Sequence, residues 1–145
     1  MKLDILYEDT DYIIIHKPSG LLSIPDRHNA EIASALQIVR HTFDSVLVVH
    51  RLDRDTSGIL CFAKNEASHK YLSTLFANRT IEKFYLGIVH GSMPEASGVI
   101  DAAIMEHPTV NGKMIIHQKQ GKPSITKFEV IENFGLYSLV QFSIL

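Results

Sequence analysis

The sequence has no tryptophan and one cysteine, Cys61, among its 145 residues. A lone thiol cannot close an internal disulfide, so a disulfide-stapled scaffold is excluded, and its setting in the apolar run GILCFA reads as a small buried hydrophobe. No apolar run approaches the ~18 residues that a membrane-spanning helix requires. The acidic opening MKLDILYEDTD lacks the basic-then-apolar plan of a signal peptide. These absences lead to the expectation of a cytoplasmic protein with no membrane partner. Glycine-rich phosphate loops are also missing. There are eight histidines, yet no two lie closer than His41 and His50, so neither an H-x-x-x-H face nor a Cys/His knuckle for a metal exists. Ser57, His50 and Asp53 could form a hydrolytic triad in principle, but Ser57 lacks the Gly-x-Ser-x-Gly elbow that exposes such a nucleophile.

What is present suits a folded domain. Apolar residues make up 46% of the chain, and a chain of this length buries roughly two-thirds of its unfolded surface. The net charge of -2 excludes a generic polyanion binder, but the charges are unevenly spread. Asp4, Glu8, Asp9 and Asp11 crowd the start, whereas between Glu106 and Glu129 the only charged groups other than histidines are Lys113, Lys119, Lys122 and Lys127. Those four lysines are candidate phosphate contacts, since a local basic excess binds polyanions through counterion release. A solvated lysine-rich hairpin is the plainer alternative.

Periodicity predicts a first hairpin from Ile5 to Glu8 and Tyr12 to His16, broken by the turn Lys17-Pro18-Ser19-Gly20. Asn29 is placed to cap a helix with the stripe Ile32, Leu36 and Val39, and Asn65 to cap a second helix running to about Ala77. Strands are expected over 45–49 and 58–63. From Ile81 onward the pattern is strands only, over 81–90, 98–105, 113–117, 124–133 and 136 to the end, with hairpin turns at Asn111-Gly112 and Phe134-Gly135. The expected fold class is α+β: one unit with a mixed, mainly antiparallel sheet and two flanking helices.

The stretch VLVVHRLDRDTSGILCF joins two apolar strands by a polar loop with two arginines and two aspartates. Asp53 or Asp55, just past a buried strand, could serve as a nucleophile kept ionised by neighbouring positive charge. The competing reading is a turn in which Asp55 and Thr56 cap the backbone while Arg51 and Arg54 pair with the two acids. Aspartate-dependent phosphatases offer another comparison. Their Asp-x-Asp motif has Thr or Val two residues past the second aspartate, where this chain has Ser57, and no paired acidic motif for magnesium follows.

The same stretch resembles the signature of the RluA-type pseudouridine synthases, His-Arg-Leu-Asp-x-x-Thr-Ser-Gly, over nine consecutive positions from His50 to Gly58. ILYEDTDYIIIHKPSGLLSIP resembles that family's opening hairpin and Lys-Pro-x-Gly turn. FANRTIEKFYLGIVHG resembles its Lys-x-Tyr strand, and GKPSITKFEVIENF its following Thr-containing strand.

The resemblance implies a pseudouridine synthase-like fold and isomerisation of uridine to pseudouridine in ribosomal or transfer RNA, with no cofactor and no metal. It implies Asp53 as the catalytic carboxylate, attacking either ribose C1′ or uracil C6. Arg51 would occupy the space left by an extruded nucleotide, offsetting the few kcal/mol of stacking lost on flipping. Tyr85 would pack on the uracil. His50, Thr56, Ser57 and Gly58 would shape the loop, and the four lysines would touch structured RNA. In the family the strand matching LYSLVQFSIL leads into a segment resembling Gly-Arg-Thr-His-Gln-Ile-Arg, which this sequence does not reach. The expectation is thus a single domain, 1–145, truncated before the C-terminal part of its fold, with self-association through the unfinished C-terminal strand. The contrasting class is a non-catalytic RNA-binding or assembly module that keeps the fold without turnover.

Overall fold

The computed structural model describes residues 2–29, 31–110 and 112–145. The chain forms two compact units, Met1–Thr80 and Ile81–Leu145. Its class is the expected one, α+β with antiparallel sheets and, among the described residues, two helices.

In the first unit, β1 (Asp4–Glu8) and β2 (Tyr12–Lys17) pair antiparallel, as the hairpin pattern predicts. Asp9 makes the turn: its Oδ1 accepts the amides of Asp11 and Tyr12, each at 2.7 Å. β4 (Gly58–Ala63) pairs with the other side of β2, and β3 (Leu47–Val48) with β4, giving the order β1-β2-β4-β3. The strand expected over 45–49 shrinks to two residues. Just before it, the Val46 carbonyl accepts Arg40 Nη2 at 3.0 Å, and within it the Val48 carbonyl lies 3.0 Å from the His69 ring nitrogen Nε2.

Strand alternation sets the core. Ile13, Ile15 and Lys17 point to one face of β2, with Phe62, Leu60 and Gly58 directly opposite on β4. Ile13, Ile15, Leu60 and Phe62 are fully buried, and so is Lys17 at the end of that apolar row. Leu21, Leu36, Val39, Val46 and Leu52 complete much of this core.

The first helix departs from expectation. α1 spans Ala35–Arg40, and its cap is Ser34, whose Oγ accepts the Gln37 amide; Asn29 instead bends the preceding loop by accepting the Glu31 amide. The later start has a tertiary cause: the amides of Ala35 and Leu36 are bound by the carbonyls of Leu22 and Ser23, so the helix begins where the loop can serve it. α2 (Glu66–Ala77) is capped by Asn65 as expected, packs on β3 and β4, and is tied to the first hairpin by Ser68 Oγ donating to the Asp11 carbonyl.

Among the described residues, the regular elements of the second unit are all strands. β5 (Phe84–His90), β6 (Ser97–Asp101), β9 (Ile125–Asn133) and β10 (Tyr137–Ile144) form an antiparallel sheet in the order β5-β10-β9-β6. β7 (Ile104–Glu106) and β8 (Met114–Ile116) make a separate two-stranded ribbon. The single strand expected over 98–105 therefore divides at Ala102 and Ala103, where the ladder to β9 ends and Ile104 exchanges backbone hydrogen bonds with Lys122. Of the turn expected at Asn111-Gly112, Asn111 lies outside the described residues, while Gly112 has φ +73°. The turn at Phe134-Gly135 joins β9 to β10, with Gly135 at φ +82°.

The C-terminal strand lies inside its sheet. β10 is hydrogen-bonded on both sides, to β5 along 137–143 and to β9 along 138–144, so the open edges of this sheet are those of β5 and β6.

Candidate active site

The polar loop between β3 and β4 is held by the turn that follows β2. Lys17 ends the buried row of β2, and among the described residues its ammonium has no carboxylate within ion-pair distance. It donates to three backbone carbonyls, those of Leu21 at 2.7 Å, Arg54 at 3.0 Å and Pro18 at 3.1 Å. Burial pushes its pKa below the ordinary lysine value, partly opposed by the negative charges of Asp55 and Asp53. Three dipoles thus hold a charge that the interior otherwise disfavours, and one of them belongs to the loop.

Further bonds join the same two segments. The Gly20 amide donates to the Arg54 carbonyl at 2.9 Å, and Arg54 Nε returns a bond to the Gly20 carbonyl at 3.1 Å. Ser19 Oγ donates to the Asp55 carbonyl at 2.8 Å. Ser23 Oγ donates to the Leu52 carbonyl at 2.7 Å and accepts the Leu52 amide at 3.0 Å. Gly20, at φ +84°, supplies the left-handed conformation that brings this turn around.

The loop closes on itself at Asp53, whose carbonyl accepts the Thr56 amide at 3.2 Å. Its carboxylate is exposed, between neighbours whose backbone is bound on both sides. Arg51 and Ser57 are also exposed, and Thr56 is half-buried. Gly58 re-enters the sheet opposite Lys17 at φ +132°; a side chain there would meet no neighbour, so it is the backbone angle that calls for glycine. His50 is half-buried: its Nε2 accepts the Cys61 amide at 3.0 Å, and its ring stacks on Phe76 with centroids 4.6 Å apart. Because Nε2 is an acceptor there, a neutral His50 ring carries its proton on Nδ1.

The turn in which the arginines pair with the acids is overturned. Among the described residues, the one ion pair is Lys64 with Glu8 at 3.0 Å, and Arg54 reaches a carbonyl rather than a carboxylate. Also among the described residues, no group of three His, Cys, Asp or Glu side chains converges as a metal site would require.

Tyr85 and the lysines belong to the second unit. Tyr85 is half-buried in β5 opposite Phe142 of β10. Lys113, Lys119, Lys122 and Lys127 are all exposed. Lys113 precedes β8, Lys119 lies in the turn after it, Lys122 bridges to Ile104, and Lys127 is separate, in β9 between Ser143 and Val99.

The roles of Lys17 and Ser23 are not evident from motif spacing. The available signal is a lysine at the third inward position of an otherwise apolar alternation, Ile13, Ile15, Lys17, which marks a buried charge needing partners.

A family model described as RNA pseudouridylate synthase matches residues 11–145. The ribosomal large subunit pseudouridine synthase D of Buchnera aphidicola is 39% identical over 141 residues, covering 94% of this chain and 45% of that protein. The protein of the same name from Escherichia coli is 34% identical over 142 residues, covering 94% of this chain and 43% of its own length. The human RNA pseudouridylate synthase domain containing 1 structure superposes with a TM-score of 0.82 at 27% identity, covering 99% of this chain and 59% of that one. The chain spans about half the length of the curated relatives it matches.

Proposed function

The chain belongs to the RNA pseudouridylate synthase family, in its RluA-type branch, and from that premise we propose that it supplies the catalytic aspartate of an RNA uridine isomerase, Asp53. The observation that carries this reading is an exposed carboxylate on a loop whose backbone is tied down on either side of it. An attacking group needs access to substrate and a fixed direction of approach.

In the reaction, Asp53 adds to ribose C1′ or uracil C6, the bond from C1′ to N1 breaks, and the uracil turns and rejoins C1′ through C5. Rejoining at C5 displaces Asp53 from C1′, or is followed by its elimination from C6, so the carboxylate is regenerated; the proton on C5 leaves to solvent and N1 takes one up, so uridine and pseudouridine balance as isomers with no redox step. Arg51 takes the space of the flipped nucleotide and Tyr85 packs on the base. Lys113, Lys119, Lys122 and Lys127 contact phosphates of structured RNA. Ribosomal RNA is the first substrate to try, since the two relatives named above are ribosomal large subunit pseudouridine synthases; transfer RNA is the second.

The test is tritium release from RNA labelled at uracil C5, using the natural polypeptide that carries this sequence. Release that disappears in Asp53→Ala supports the assignment. Release that survives in Asp53→Ala refutes it. RNA binding with no release by the wild type supports the non-catalytic module instead.

A further inference from the structure

We propose that Ser23 is a positioning residue for Asp53, acting through the backbone of Leu52. The inference rests on the reading of Asp53 as the reacting carboxylate. Ser23 is only 4% exposed, and its one hydroxyl both donates to the Leu52 carbonyl at 2.7 Å and accepts the Leu52 amide at 3.0 Å. That carbonyl belongs to the peptide bond entering Asp53. An atom that gives and receives a hydrogen bond at once is needed to close such a two-way bond, which a hydroxyl supplies and an alkyl group cannot.

Ser23 is itself held. Its carbonyl accepts the Leu36 amide at 3.1 Å, and the preceding Leu22 carbonyl accepts the Ala35 amide at 2.7 Å. The first turn of α1 therefore fixes Ser23, Ser23 fixes Leu52, and the buried Leu52 side chain anchors the same residue in the core. On the far side of Asp53, the Arg54 carbonyl is held by Lys17 and Gly20, and the Asp55 carbonyl by Ser19. Asp53 is the one residue of 52–55 whose carbonyl is bound within its own loop, by Thr56, rather than by the 17–23 segment. Ser23 is the sole tie among these on its N-terminal side. Without it, the carboxylate keeps its chemistry and loses its aim, and a misplacement of about 1 Å at a reacting group costs on the order of 10²-fold in rate.

Two readouts test this. On the chain itself, Ser23→Ala is expected to raise amide exchange at Leu52 and Thr56 at least ~10-fold, with the β2–β4 amides unchanged, because an amide freed of its acceptor exchanges by local opening. In tritium release by the natural polypeptide, Ser23→Ala is expected to lower kcat by about 10- to 100-fold with KM for RNA within about twofold, and Ser23→Thr, which keeps the hydroxyl, to restore most of it. Unchanged exchange at Leu52 overturns the proposal. So does a wild-type kcat in Ser23→Ala while Asp53→Ala is dead, a loss in Ser23→Thr equal to that in Ser23→Ala, or a rate loss that merely follows lost protection across β2–β4. Turnover that persists in Asp53→Ala instead overturns the functional reading, and the exchange data still decide whether Ser23 holds the loop.

Discussion

Replacing Lys17 by methionine and, separately, by alanine separates the ammonium from its hydrocarbon stem. Of the three carbonyls bound by Nζ, that of Arg54 keeps the Gly20 amide as a partner, and those of Pro18 and Leu21 lose the bond. The Leu21 bond is the buried one, so methionine leaves one buried acceptor unsatisfied, a cost of ~1–3 kcal/mol. Against this, methionine removes a charge that burial already disfavours, as the lowered Lys17 pKa shows. The expected destabilisation for Lys17→Met is therefore small, about 1–2 kcal/mol. Alanine also removes three buried methylenes at ~0.8 kcal/mol each, so Lys17→Ala should cost roughly 2 kcal/mol more than the methionine variant.

Urea titration followed by circular dichroism measures both, and amide exchange at Gly20 and Thr56 reports the loop. Methionine should loosen those amides well beyond its global cost. The sign of the pH dependence gives a second handle. Between the lowered folded pKa and the ordinary lysine value the unfolded chain binds more protons, so wild-type stability relative to Lys17→Met should rise with pH in that window and stay level below it. If Lys17→Met costs as much as Lys17→Ala, or leaves the loop amides unchanged, the assignment of the ammonium to loop anchoring is refuted.

Other predictions follow from single groups. The Asp11 and Tyr12 amides and the Tyr7 hydroxyl hold the Asp9 carboxyl below the usual carboxylate range. The hairpin stability it contributes is thus complete above the unfolded pKa and lost as pH falls through the folded one; exchange at the Asp11 amide should accelerate in acid, and Asp9→Asn should lose that acid dependence. Burial pushes the Cys61 thiol up, so a thiol reagent at neutral pH should label it slowly in the folded chain and fast in denaturant. If Lys119 and Lys122 contact phosphates, the double alanine variant should flatten the log-log salt slope of RNA binding by about 1.4–1.8; an unchanged slope removes them from the interface.

Much of the fold is legible where local pattern and tertiary need agree. β4 begins at Gly58 because the turn needs a positive φ there, and α2 starts at its asparagine cap, whose side chain accepts the Ser68 amide. The pattern misleads where distant groups intervene. Leu22 and Ser23 bind the first amides of α1 and move its start to Ser34, and Arg40 takes a carbonyl at the edge of β3. The motif from His50 to Gly58 identifies the loop, but not what secures it, because the bonds come from residues 29 to 37 positions away. Spacing does not reveal a hydroxyl serving a backbone at that distance. The C-terminal run shows the same limit: its pattern marks a strand, but not that the strand lies between β5 and β9.

The central claim is that the Asp53 carboxylate performs the isomerisation. Tritium release from C5-labelled uridine in structured RNA, comparing the wild type with Asp53→Asn and Asp55→Asn in the natural polypeptide, tests it most directly. The account predicts loss of at least ~10⁴-fold for Asp53→Asn, as expected on removing a covalent nucleophile, with activity retained in Asp55→Asn. Release at the wild-type rate from Asp53→Asn contradicts it.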